Sequence, residues 1–101
     1  MRWQIPESFD LANRTYTVRW MTGAEEKKYS DEDGNCRVEE AQVLIRKGKH
    51  KDYRDHTFLH ELMHAVFNAA GREKEYEDEG LVDSVAGLLH QFFKTKKGRL
   101  E

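Results

Sequence analysis

Between Thr15 and Met21 apolar and polar side chains alternate, with Tyr16, Val18 and Trp20 on one side and Thr15, Thr17, Arg19 and Met21 on the other. That period of two predicts a half-buried strand. Ala41, Val43 and Ile45 alternate in the same way with Gln42, Leu44 and Arg46, and Lys47-Gly48 closes this second strand. The charged stretch 24–40 carries the turn signal Asp33-Gly34 and is expected to be a loop or an open hairpin. The period then changes. Leu59, Leu62, Met63, Val66 and Ala70 recur at helical spacing behind Asp55, a residue able to cap a helix beginning near His56, and Gly71 stops the run. After a charged connection at 72–79, Leu81, Val82, Val85, Leu88, Leu89 and Phe92 define a second amphipathic helix to about Lys94. Strands followed by helix, loop and helix predict an α+β fold with the helices packed on a small sheet.

A chain of 101 residues with no internal repeat or interdomain linker is expected to form one domain over 1–101. With 38% hydrophobic and 36% charged residues and a net charge of −2, it has the balance of a soluble globular protein, and net charge names no partner. No apolar run has the length of a signal peptide or a bilayer span, so the expected location is the cytoplasm and no membrane association is expected. Cys36 stands alone, which excludes an internal disulfide and is expected to be an ordinary half-buried thiol. Leu100 and Glu101 follow the basic run Lys94, Lys96, Lys97, Arg99 and are read as a non-native tail without function.

The chemistry concentrates in "TFLHELMHAVF", residues 57–67, which contains His60-Glu61-Leu62-Met63-His64. On a helix, a separation of four brings both imidazoles to one face, one turn apart, where each can offer a nitrogen to a single ion such as zinc. Glu61, turned by about 100° from His60, is placed to accept a proton from water at the ion's open position. A bare HExxH is a weak signal. The uncharged Leu62 and Met63 inside it and Ala65 and Val66 after it set this one apart from a solvent-exposed accident. Imidazoles facing a core without a metal would need other hydrogen-bond partners or cost a few kcal/mol of desolvation.

Thr57 to Val66 resembles the extended signature of zincin metallopeptidases, a resemblance that implies His60 and His64 as zinc ligands and Glu61 as the catalytic base. Phe67 and Ala70 occupy the positions where metzincins carry glycine and histidine, so that subclass is excluded. In glutamate-ligand zincins the third ligand opens a second helix, with a carboxylate four residues on that holds a ligand histidine; Glu79 and Asp83 match this pattern. Val85, Ala86, Leu88 and Leu89 are similar to the apolar pattern after the ligand glutamate of ImmA/IrrE-type peptidases, with Asp83 replacing their asparagine. Glu73, Glu75, Glu77 and Asp78 compete with Glu79, and helical phase brings Asp78 nearer the centre of the apolar face. His90 is a further alternative that would give a three-histidine site resembling SprT-like peptidases, but about 16 Å of straight helix separates it from Glu79. His50 and His56 are expected at the surface, and Asp31, Asp33 and Asn35 fail as a calcium loop because Cys36 and Gln42 stand where glycine and glutamate belong.

The N-terminal half is similar to small phage and bacterial zincin-like proteins, in which an "IPxxF" start (Ile5 to Phe9), a strand, a glycine-containing loop and a second strand precede the motif. The implied architecture is a minimal zincin-like fold: a mainly antiparallel sheet of two to four strands, the HExxH helix and a second C-terminal helix. Ala41 to Arg46 would then be the edge strand beside which an extended substrate lies. The expected function is zinc-dependent hydrolysis of a peptide or protein substrate with one zinc ion, in a bacterial or phage-infected host cytoplasm, by a monomer or small homo-oligomer. Tyr76, Tyr53 and His90 are all candidate oxyanion donors. A rival expectation keeps the fold but makes it a binding or regulatory module with a mainly structural metal. Nucleic acid is not an expected partner, since the basic run Arg46, Lys47, Lys49, Lys51 and Arg54 lacks an interleaved aromatic platform beyond Tyr53.

Overall fold

A computed structural model describes residues 3–101. Four strands, β1 (Ser8–Leu11), β2 (Arg14–Trp20), β3 (Gly34–Arg37) and β4 (Gln42–Ile45), form one sheet in the order β1-β2-β4-β3. Helix α1 (Gly23–Lys28) lies between β2 and β3, and α2 (Lys51–Ala69), α3 (Glu73–Glu77) and α4 (Glu79–Thr95) follow the sheet. The α+β class holds. The sheet, however, is mixed: β1 with β2 and β3 with β4 are antiparallel, whereas the central pair β2 and β4 is parallel, with Val18 opposite Val43.

The parallel pair follows from β3, which the charged stretch concealed. Gly34-Asn35-Cys36-Arg37 shows no apolar alternation, yet it pairs with β4 as an edge strand and reverses the chain once more before β4 returns alongside β2. β4 is therefore central, not the expected edge, and Val43, Leu44 and Ile45 are all buried because the strand is covered on both faces. β1, also unforeseen, joins β2 through Ala12 and Asn13, both at positive φ, as a tight hairpin requires.

Helix α1 forms in a polar segment because its ends are satisfied locally. Thr22 and Glu25 make a reciprocal capping box, and Arg19 reaches the Glu25 carboxylate with two bonds of 2.8 Å. Helix α2 begins five residues earlier than the apolar pattern suggests: His50 caps it by accepting from Asp52 N, and Asp55, the expected cap, lies inside the helix, buried and bonded to Lys51 at 2.6 Å. The core packs Tyr16, Val43 and Ile45 of the sheet against Phe58, Leu59 and Ala65 of α2 and Ala86 of α4, with Trp3, Ile5 and Phe9 closing one side. It holds α2 against the sheet on one flank and against α4 on the other. The groups of α2 that face α4 and β3 at its middle are therefore fixed in position.

Candidate metal centre

Residues 56, 60 and 64 lie one helical turn apart on α2, and α4 passes beside them. His60 Nε2 is 3.0 Å from Glu79 Oε2, and His64 Nε2 is 3.1 Å from Glu79 Oε1. The other ring nitrogens are engaged: His60 Nδ1 lies 3.2 Å from Asp83 Oδ1 and His64 Nδ1 lies 2.8 Å from the Tyr76 carbonyl oxygen. A carboxylate and a carbonyl can only accept, so each ring has both of its nitrogens facing acceptors, while a neutral imidazole carries one N–H. One contact of each ring is then left without a hydrogen. A cation on the Nε2 side, with Nδ1 donating to Asp83 and to the Tyr76 carbonyl, satisfies all of them, as would a second proton on the rings.

His60, His64 and Glu79 could hold a metal ion, since one donor atom from each falls within 4.8 Å of the others. Two imidazoles and one carboxylate are a donor set able to hold a divalent ion with a position left open, and the contacts to Asp83 and Tyr76 lie on the far side of the two rings, where they fix ring orientation. Local structure explains the placement of each partner. Asp78 caps α4 by accepting from Leu81 N at 3.0 Å, which makes Glu79 the first helical residue and aims its exposed side chain at α2. The alternative ligand Asp78 is thereby committed to the helix end. Helix α3 turns the Tyr76 carbonyl toward His64, while the Tyr76 ring rests edge-on against that imidazole.

Glu61 is 8% exposed, and no hydrogen bond among the described residues reaches its carboxylate. Burial, with smaller contributions from Glu79 and Glu32 against the opposing pull of His60, pushes its pKa up to about 7. The side chain borders a cleft of about 520 Å³ that it shares with His60, His64, Glu79, Asp83 and the Glu32-Asp33-Gly34 stretch. Gly34 sets this wall: a Cβ there would lie 2.6 Å from Thr57 Cγ2 and 3.0 Å from Glu61 Cγ, so only glycine lets β3 approach α2 so closely. The Asp33-Gly34 turn signal thus marks a close approach at the start of an edge strand. Cys36, further along β3, is half-buried, and burial pushes its thiol up to about 12, away from nucleophilic chemistry.

Other expected positions separate. His90 does not join His60 and His64: it lies with Asp52 and Asp55 in a second group that could also hold a cation. There Lys94 already donates to Asp52 at 2.8 Å and Lys51 to Asp55 at 2.6 Å, so a metal would have to displace two ammonium groups. Neither His90 nor the Tyr76 hydroxyl borders the cleft; Tyr53 does, with its hydroxyl on Asp33. His56, expected at the surface, is instead half-buried on the cleft wall with Nε2 3.2 Å from Asp83 Oδ1, close to the contact made by His60. Two features had no sequence signal: the backbone carbonyl of Tyr76, and Glu32 in the cleft wall.

Arg46 of the basic run donates to the carbonyls of Glu26, Tyr29 and Glu32, and Lys49 lies 3.8 Å from Asp33, so part of that run is spent inside the fold. No helix among the described residues is long and apolar enough to cross a membrane. Comparison with protein-family models, with curated proteins and with solved structures returned no match.

Proposed function

We propose that this chain is a zinc-dependent peptidase, with His60, His64 and Glu79 holding one zinc ion and Glu61 as general base. The observation that carries this reading is the convergence of His60 Nε2, His64 Nε2 and the Glu79 carboxylate beside a buried, unpaired glutamate on an open cleft. Zinc bound there would supply a Lewis acid for the scissile carbonyl and a lowered pKa for water.

The chain's own groups do the rest. With an ion on the Nε2 side, Asp83 and the Tyr76 carbonyl would accept from Nδ1 of the two imidazoles and hold the rings in place. A pKa near 7 suits Glu61 to proton exchange at neutral pH, and a neighbouring dication favours its ionised form. Glu61 accepts the proton of the water that adds to the scissile carbon and delivers it to the amide nitrogen as the C–N bond breaks. Sheet and helix keep bulk water from its inner side.

Glu61→Gln keeps the shape and removes the base. The expected outcome is unchanged zinc stoichiometry by metal analysis with at least about 100-fold slower cleavage of a peptide mixture, the usual scale for loss of a general base. Equal turnover by wild type and variant would sink the mechanism.

A further inference from the structure

The cleft has one sign of charge. Glu32, Asp33, Glu61, Glu79 and Asp83 all border it, and among the described residues no lysine or arginine does. Three of the five carboxylates have partners: Glu79 faces the two imidazoles, Asp83 takes His60 Nδ1 and lies 3.2 Å from His56 Nε2 without a hydrogen bond to it, and Asp33 takes the Tyr53 hydroxyl and lies 3.8 Å from both Arg46 and Lys49. Glu32 differs. Its backbone carbonyl holds the Arg46 guanidinium, but its exposed carboxylate pairs with no cation among the described residues and stands at the cleft wall next to Gly34. Glu61, buried and without a hydrogen-bond partner, is aimed into the same space. A dication held by His60, His64 and Glu79 would offset the charge at the floor, Arg46 and Lys49 offset Asp33, and the Glu32 carboxylate is left as the wall's unpaired negative charge. Low-dielectric walls on either side focus such a field.

We propose that this cleft selects a cationic peptide, seating a lysine or arginine side chain next to the scissile bond against Glu32, with Asp33 beside it. The inference takes the peptide nature of the ligand from the peptidase reading and adds which peptide. Acidic peptides and nucleic-acid backbones meet like charge at the same wall. An ammonium or guanidinium group gains an unpaired carboxylate that needs no prior ion pair to be broken, so the preference is for positive charge as such and weakens with salt.

The test uses capped alanine-rich pentapeptides with lysine, alanine or glutamate at the centre. Their binding to Glu61→Gln protein, which does not consume them, is followed by fluorescence anisotropy in both zinc-loaded and metal-free forms. The lysine peptide is expected to bind roughly tenfold more tightly than the glutamate peptide at low salt, with the ratio shrinking at high salt. Adding Glu32→Gln should cut the ratio by about threefold, and Glu32→Lys should reverse the preference. Equal affinity for the three peptides, no measurable binding of any, or a ratio indifferent to Glu32 overturns the inference. Hydrolysis by the wild type is scored separately. Cleavage without charge preference leaves the peptidase and removes the inference; charge-selective binding without cleavage does the reverse.

Discussion

Glu61 is the residue on which chemistry and stability oppose each other. Its neighbours Thr57 and Gly34 and the packing of α2 on the sheet take it out of water without giving it a donor, and the carboxyl answers by holding its proton to about pH 7. Its ordinary value is 4.5, so the folded metal-free chain binds this proton more tightly than the unfolded chain. The stability that goes with it is complete below about pH 4.5 and is lost as pH rises to about 7, by up to about 3 kcal/mol. Urea unfolding of the metal-free protein across that range should show the loss in wild type and a flatter profile in Glu61→Gln, the histidines being common to both. Parallel profiles would mean that the carboxyl is better solvated than its surroundings indicate. A dication held by His60, His64 and Glu79 would reverse the preference, because positive charge beside the carboxylate stabilises its ionised form.

The join between α3 and α4 decides whether a third ligand exists at all. Asp78 closes the first turn of α4, and with that turn formed Glu79 stands opposite two imidazoles at 3.0 and 3.1 Å. Asp78→Ala is expected to cost about 1 kcal/mol of stability and to weaken zinc binding while keeping one ion per chain, whereas Asp78→Asn, which still caps, should restore both. If Asp78→Asn lost zinc as Glu79→Gln does, Asp78 would be a ligand and not a cap. The same join shows what a sequence reveals at this scale. The long helices α2 and α4 were legible because nineteen and seventeen residues carry several turns of apolar repeat, and the spacing of His60, Glu61 and His64 needs only one such helix. Helices α1 and α3 and strand β3 are short and mostly polar; one capping box on α1, ion pairs and one ladder hold them, and none of these leaves a hydrophobic period. Missing β3 also hid the parallel central pair and moved the apparent edge to β4. The Tyr76 carbonyl was beyond reach for another reason, since a backbone acceptor has no residue type to betray it.

Across the whole molecule, the core and the candidate metal centre are separate structures that share α2 and α4. Tyr16, Ala41, Val43, Ile45, Phe58, Leu59, Ala65 and Ala86 make the buried cluster, and none of His60, His64 or Glu79 belongs to it. Glu79 is mostly exposed, so the ion would tie the start of α4 to the middle of α2 from the solvent side without replacing any core contact. A chain built this way should not need its metal to fold. Chelation is expected to leave far-ultraviolet dichroism close to native and a cooperative thermal transition. Added zinc should raise Tm progressively, approaching about 4 kcal/mol of added stability when free zinc exceeds its dissociation constant a thousandfold. A chain that unfolds on chelation would have a structural ion, and the rival reading as a binding or regulatory module would then be preferred. The zinc dependence of Tm also separates the two cation candidates: Glu79→Gln should abolish the shift if the ion lies between α2 and α4 at His60 and His64. Asp52→Asn should leave the shift intact, because the carboxylates beside His90 are already neutralised by Lys94 and Lys51.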